Sequence, residues 1–231
     1  MNYNKKNQRI IEEKNIQVYA YTFSKEEKFK QFIQILPMFL FYIKHYKPIY
    51  LSFINYRVSW IKFIINIFND NNYEYNVKFF KNFTAITFMN TTYENLCYNL
   101  FIVPYEGSKY DGYKNIWGSR YWCFLHLISF LVYNNNEMLV TFACLLLNFH
   151  LVLLCSVCSE NFLNKDPLRV LTMRIIKTQD SISTLYNFHN IVNETLLGTY
   201  SKYTEINFLK LYNCSRYIKV NSLSYIEIID I

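Results

Sequence analysis

Apolar residues recur at intervals of three and four along most of the chain, and this is the spacing of amphipathic helices. The first clear stretch runs from Lys25 to Phe41, and a second, from Ser59 to Asn69, is apolar enough to be largely buried. Asn69–Asn72 predicts a turn, and the aromatic-rich stretch Lys78–Met89 fits either a helix or a strand. Residues 1–103 are therefore predicted to form a helical N-terminal domain without a recognisable cofactor motif.

The segment Pro104–Gly112 predicts a boundary, because glycine and proline interrupt helices. The chain has only four glycines and four prolines, and three of the glycines fall between residues 107 and 118. We therefore expect a second domain over residues 113–200 and a C-terminal extension over residues 201–231. The end of that extension, Asn221–Ile231, is predicted to be an edge strand or a packed extension.

The second domain is predicted to contain four helices, which is an economical way to build a small bundle. They run from Asn115 to Tyr133, from Glu137 to about Leu154, from Cys155 to near Asp166–Pro167, and from Ser181 to Leu197, where Gly198 would close the last one. Together with the helical first half, this pattern predicts an all-α fold.

Composition narrows the class of protein further. Hydrophobic residues make up 52% of the chain and aromatic residues 19%, which argues against a disordered chain. The formal charge is +7, but the N-terminal lysines are mixed with glutamates, which is typical of a solvated helix face. We therefore expect no nucleic-acid partner. The polar start of the chain does not resemble a signal peptide, so we expect no secretion by that route.

One apolar stretch, Met138–Leu154, is nearly long enough to span a bilayer. Asn148 and His150 interrupt it, and polar groups in a membrane-spanning helix are costly unless they are partnered. A buried helix of a bundle is the favoured interpretation. A membrane anchor remains the alternative.

Two helical motifs carry rings and amides on one face. Gly118, Trp122 and His126 follow one another at intervals of four, so they share a ridge on which a flat heteroaromatic ring could stack. Tyr133 is seven residues further on and is predicted near the same ridge. The second motif provides directional donors and acceptors that suit a purine, a ribose or a flavin edge. It consists of His189, Asn190 and Asn193.

Between these motifs lies the pair Cys155 and Cys158 in a CxxC arrangement. At the start of a helix the two sulfurs lie about one turn apart, and the backbone N–H groups there stabilise the thiolate needed for disulfide exchange. Zinc is the other chemical interpretation. It would use both cysteines and two of three histidines, His126, His150 and His189, although this spacing does not match a usual zinc finger.

The ordered motifs Trp117-Gly118-x-x-x-Trp122-x-x-Leu125-His126, Cys155-x-x-Cys158 and His189-Asn190-x-Val192-Asn193 resemble the Erv/Alr family of FAD-linked sulfhydryl oxidases. The resemblance covers about residues 113–200 and implies a four-helix bundle that binds FAD. It also implies oxidation of two thiols by oxygen to a disulfide and hydrogen peroxide, with Cys155 and Cys158 as the redox pair. The residues implied to contact FAD are Gly118, Trp122, His126, Tyr133, His189, Asn190 and Asn193.

The single CxxC and the helical N-terminal half look most like the viral branch of that family, of the baculovirus and nudivirus type. That likeness implies a homodimer acting on protein thiols, in the host cytoplasm or nucleus or in the virion. The rival hypothesis is a membrane-anchored or zinc-binding scaffold protein that is not an enzyme.

Overall fold

The computed structural model of the protein describes residues 18–45, 51–107, 114–197, 204–221 and 224–228. Most of these residues are helical, which confirms the all-α fold class predicted from the sequence. The chain divides into two compact units. The larger spans residues 24–200, and the smaller combines residues 1–23 with residues 201–231.

The larger unit begins with two long helices and continues through shorter ones. Its first half contains α1 (Lys25–His45), α2 (Leu51–Asp70), α3 (Val77–Phe80), α4 (Ala85–Asn90) and α5 (Tyr93–Asn99). Its second half contains α6 (Lys114–Leu131), α7 (Asn136–Leu147), a 3₁₀ helix (Phe149–Val152), α8 (Ser156–Leu163), a π-helical turn (Leu168–Thr172), α9 (Met173–Thr178) and α10 (Ser181–Leu197).

The aromatic-rich stretch Lys78–Met89, which left helix and strand open, forms parts of the two short helices α3 and α4. Each helix begins at a polar side chain that accepts a backbone hydrogen bond. Asn76 Oδ1 accepts from the N–H of Phe79 at 3.2 Å, and Thr84 Oγ1 accepts from the N–H of Thr87 at 3.3 Å. These caps satisfy N–H groups that the first turn of a helix leaves without a partner.

Aromatic side chains from both halves of the larger unit form one core. The Phe39 ring of α1 stacks on the Phe124 ring of α6, with centroids 4.0 Å apart and 15° between the planes. Trp60 of α2 contacts both rings, at 5.4 Å and 6.0 Å, and all three side chains are completely buried. The boundary expected at residues 104–112 therefore does not separate two hydrophobic cores. The compact units differ from the expected domains 1–103, 113–200 and 201–231.

The helix predicted from Glu137 to about Leu154 is shorter than expected. Helix α7 ends at Leu147, and the chain turns through the 3₁₀ helix, whose Phe149 and Val152 are buried. The Phe149 ring lies 5.7 Å from that of Trp60, so the turn follows from packing of this side chain into the core. The prediction of one continuous helix was wrong because apolar content does not show where a helix ends.

The length of α7 is relevant to the alternative that Met138–Leu154 is a membrane anchor. Helix α7 has 12 residues and, at 1.5 Å per residue, spans about 18 Å, against about 30 Å for the hydrocarbon core of a bilayer. Within the described ranges, no helix combines the length with the apolar character that a membrane span requires.

The described residues of the smaller unit form a three-stranded antiparallel sheet and one helix. The strands are β1 (Val18–Thr22), β2 (Ser215–Asn221) and β3 (Ser224–Ile228), in the order β1–β2–β3, and the helix is α11 (Glu205–Leu211). Strand β3 lies at an edge of this sheet, which agrees with the strand alternative for the C-terminal end. Within this unit, Arg216 of β2 forms an ion pair with Glu205 of α11.

Candidate functional site

Helices α6 and α10 bring three of the predicted site residues into one cluster. The rings of Trp122 and His189 stack with centroids 3.9 Å apart and only 11° between the planes. His126 Nε2 and His189 Nδ1 are 3.0 Å apart, which is hydrogen-bonding distance. Although the two motifs are more than 60 residues apart in sequence, their central rings touch in the folded chain.

Gly118 lies one helical turn before Trp122 on the same ridge of α6. It is partly exposed, and a Cβ atom added to it would meet no atom within 4 Å. Packing within the described protein therefore does not require glycine at this position. The open space beside Gly118 leaves room for a ligand to approach the backbone next to Trp122.

Tyr133 lies just beyond the end of the helix that carries this ridge. Helix α6 ends at Leu131, and the N–H of Tyr133 donates to the carbonyl oxygen of Phe130 at 3.3 Å, three residues back. The regular helical spacing that grouped Tyr133 with His126 ends two residues before Tyr133, so its place near the ridge stays a prediction. Asn190 and Asn193 do lie on α10 with His189, and both are partly buried.

Burial keeps the two histidines of the cluster neutral near pH 7. Removal from water lowers the pKa of His126 well below its usual value, and the nearby His189 lowers it further. Burial also lowers the pKa of His189 to about 4. A neutral imidazole has one donor and one acceptor nitrogen. The cluster therefore offers hydrogen-bonding groups, without a positive charge, to a heteroaromatic ligand.

This burial predicts that the fold loses stability in mild acid. The pKa of the His189 imidazole is 6.5 in the unfolded chain and about 4 in the folded chain. Between these two pH values the unfolded state therefore binds more protons than the folded state. The free energy of unfolding should therefore fall as the pH falls through this window. At 1.36 kcal/mol for each pKa unit, the loss between pH 7 and pH 5 from His189 alone is about 2 kcal/mol.

Urea unfolding of the protein at pH 7, 6 and 5 measures this loss. The double variant His126→Asn/His189→Asn should show a weaker dependence on pH than the parent protein. An equal pH dependence in the parent and the double variant would contradict the assignment to this cluster.

The CxxC pair opens helix α8, as the sequence predicts. Cys155 is the N-cap residue, with extended backbone angles, and its Sγ accepts a hydrogen bond from the N–H of Cys158 at 3.2 Å. Both side chains are partly exposed. The sulfur of Cys155 thus takes the place that a serine or aspartate oxygen usually fills at a helix start, where negative charge is favoured.

Packed aromatic rings connect α8, the helix of the cysteine pair, to the ring cluster formed by Trp122, His126 and His189. Phe162, four residues after Cys158 on α8, packs its ring 5.3 Å from that of Phe188 on α10. The Phe188 ring lies in turn 6.4 Å from that of Trp122. Sequence reasoning missed Phe188, because a phenylalanine inside an apolar helix face has no local signal beyond its burial.

Sequence reasoning also missed two hydroxyl groups beside the cysteine pair. Tyr121, buried on α6, donates to the carbonyl oxygen of Val152 at 2.8 Å. Ser159 Oγ donates to the carbonyl oxygen of His150 at 2.9 Å. The position of Ser159 directly after the CxxC was a weak signal, but nothing in the sequence pairs Tyr121 with Val152, 31 residues away.

The zinc alternative required both cysteines together with two histidines. Among the described residues, no group of three or more His, Cys, Asp or Glu side chains is placed to hold a metal ion. Two of the three candidate histidines, His126 and His189, instead form a hydrogen bond with each other.

No protein-family model, no curated protein and no solved structure matches this chain. The geometry of the site, together with the motifs that it contains, is therefore what supports a function.

Proposed function

We propose that this protein is an FAD-dependent thiol oxidase of the Erv/Alr type, with Cys155 and Cys158 as its redox pair. The observation that carries the proposal is the meeting of Trp122, His126 and His189 in one ring cluster. The helix of the cysteine pair packs against the same part of α10. Three motifs that are separate in sequence thus contribute to one region of the fold.

The residues at this region fit a flavin nucleotide. Gly118 leaves space for close approach, Trp122 offers an indole ring, and the neutral histidines offer a donor and an acceptor. The rings of Trp122 and His189 are already in van der Waals contact, so a ligand would use their other faces and edges. The residues that would hold FAD are Gly118, Trp122, His126, His189, Asn190 and Asn193.

Cys155 is suited to exchange disulfides with a substrate. In the oxidised pair, a substrate thiolate attacks Cys155 Sγ, so that a mixed disulfide forms and the bond to Cys158 breaks, leaving Cys158 as a thiolate. A second substrate thiolate then attacks the substrate sulfur, which forms the product disulfide and releases Cys155 as a thiolate. The N–H of Cys158 stabilises the charge on Cys155, and a stabilised thiolate leaves faster.

This exchange leaves the cysteine pair reduced by two electrons and the substrate oxidised by two. Bound FAD would accept these electrons and pass them to oxygen, giving hydrogen peroxide. By the same resemblance, we infer that the substrates are protein thiols, that the chain acts as a homodimer, and that it belongs to a virus and works in the host cytoplasm, the nucleus or the virion.

An absorbance spectrum and a measurement of oxygen uptake test the proposed function. Purified full-length protein, reconstituted with FAD and desalted, is expected to show flavin absorbance near stoichiometry and to consume oxygen when dithiothreitol is added. Light scattering of the same sample should give twice the chain mass of 28.0 kDa. A folded protein that does not retain FAD would refute the oxidase, and a monomeric mass would refute the dimer alone.

A further inference from the structure

The backbone that leads into the cysteine pair is held by the two hydroxyl groups of Tyr121 and Ser159. The hydroxyl of Tyr121 reaches it from α6 and bonds the carbonyl oxygen of Val152 at 2.8 Å. That of Ser159 reaches it from α8 and bonds the carbonyl oxygen of His150 at 2.9 Å. These two carbonyl groups lie three and five residues before Cys155. Hydroxyl groups from two helices therefore hold the backbone segment 150–154, which leads into the redox pair.

Ser159 also connects this backbone segment to the first turn of α8. Its N–H donates to the carbonyl oxygen of Cys155 at 3.0 Å, and its Oγ lies 3.2 Å from the same oxygen. One residue thus joins the backbone of His150 to that of Cys155. The loop between them is closed on itself by side-chain and main-chain hydrogen bonds.

The position of the Cys155 sulfur depends on this backbone. Cys155 can act as an N-cap only while its φ and ψ angles, −130° and 122°, keep its side chain over the first turn of α8. The N–H of Cys158 donates to Cys155 Sγ at 3.2 Å, which is a close contact for a sulfur acceptor. Hydrogen bonds are sensitive to direction and distance, so a small rotation of the segment before Cys155 would weaken the stabilisation of its thiolate.

We propose that Tyr121 and Ser159 are positioning residues for the cysteine pair, which hold Cys155 in the N-cap position and so stabilise its thiolate. The inference rests on the proposed function, in which Cys155 exchanges disulfides with the substrate. Neither hydroxyl touches the reacting sulfur in this role. Each acts through a backbone carbonyl group in the turn before Cys155.

Alkylation of the reduced, full-length protein tests this role without flavin or oxygen. Iodoacetamide converts a thiolate to a thioether and releases iodide, and peptide mass spectrometry reports each cysteine separately. In Tyr121→Phe and in Ser159→Ala, the pH profile of Cys155 alkylation should move to higher pH. The rate of Cys155 alkylation at pH 5.5 should fall by about threefold to tenfold in each variant, which is the effect expected when one hydrogen bond is lost. Exposed Cys144 in the same sample is the internal reference.

Two matched variants lose similar hydrogen bonds elsewhere in the fold. Tyr56→Phe removes a hydroxyl that donates to the carbonyl oxygen of Leu145 at 2.5 Å, and Ser59→Ala removes one that donates to Asn55 at 3.1 Å. Both should leave the Cys155 profile unchanged, even if urea unfolding shows a lower stability.

Two results would overturn the proposal: an unchanged Cys155 profile in Ser159→Ala, or a shift in Tyr56→Phe as large as that in Tyr121→Phe. If Tyr121→Phe does not fold, Ser159→Ala with its control decides the question. A protein that binds no FAD would refute the oxidase and still give an interpretable alkylation profile. The two inferences can therefore fail separately.

Discussion

Cys158→Ser is expected to abolish thiol-dependent oxygen uptake while FAD stays bound. With serine at this position the pair cannot form a disulfide, so neither substrate oxidation nor electron transfer to the flavin can proceed. The ring cluster of Trp122, His126 and His189 lies on α6 and α10, outside the helix that carries Cys158. Flavin absorbance per protein should therefore match that of the parent, while the oxygen electrode should record only the background rate.

Cys144→Ser is the matched control for this prediction. Cys144 is exposed on α7, and its removal leaves the CxxC pair intact. Its oxygen uptake should equal that of the parent protein. Turnover of Cys158→Ser at a rate close to the parent would reject the assignment of this pair. Loss of both flavin and turnover would instead show that the substitution acts through the fold.

Helical spacing predicted those parts of the fold in which local pattern and burial agree. Helix α10 occupies Ser181–Leu197 as predicted, and α1 begins at Lys25. The end of α7 was missed because residues 148–154 continue the apolar pattern after the helix has stopped. There the side chain of Phe149 reaches the core only if the chain turns, and sequence spacing carries no information on that requirement.

In the candidate site, features within a single helix were predicted from the sequence, and contacts between helices were not. The ridge of Gly118, Trp122 and His126 follows from spacing alone, and so does the start of α8 at the CxxC. The hydrogen bond between His126 and His189 could not be predicted, because the angle and rotation between two helices depend on packing all along their length. Tyr121 was missed for the same reason, since its partner Val152 is fixed by tertiary structure.

The shared aromatic core raises the question of whether the two halves of the larger unit unfold together. Phe39 and Trp60 come from the predicted N-terminal domain, and Phe124 comes from the predicted second domain. All three are completely buried. If each half had its own core, loss of Phe124 would affect mainly the second. Because the rings stack directly, we expect its loss to weaken both.

Phe124→Ala is therefore expected to lower the free energy of unfolding by about 3–5 kcal/mol, the usual cost of emptying a buried phenylalanine site. Such a loss is a large share of the roughly 5–15 kcal/mol that stabilises a typical fold. Urea unfolding followed by circular dichroism measures it, and tryptophan fluorescence, to which Trp60 beside the cavity contributes, is the second probe. The control, Phe101→Ala, removes a ring that is 54% exposed and should change stability by less than about 0.5 kcal/mol. Both probes should follow one transition, moved to lower urea in Phe124→Ala. Two separate transitions, or equal effects of the two substitutions, would show that α1, α2 and α6 do not share the cooperative core described by their contacts.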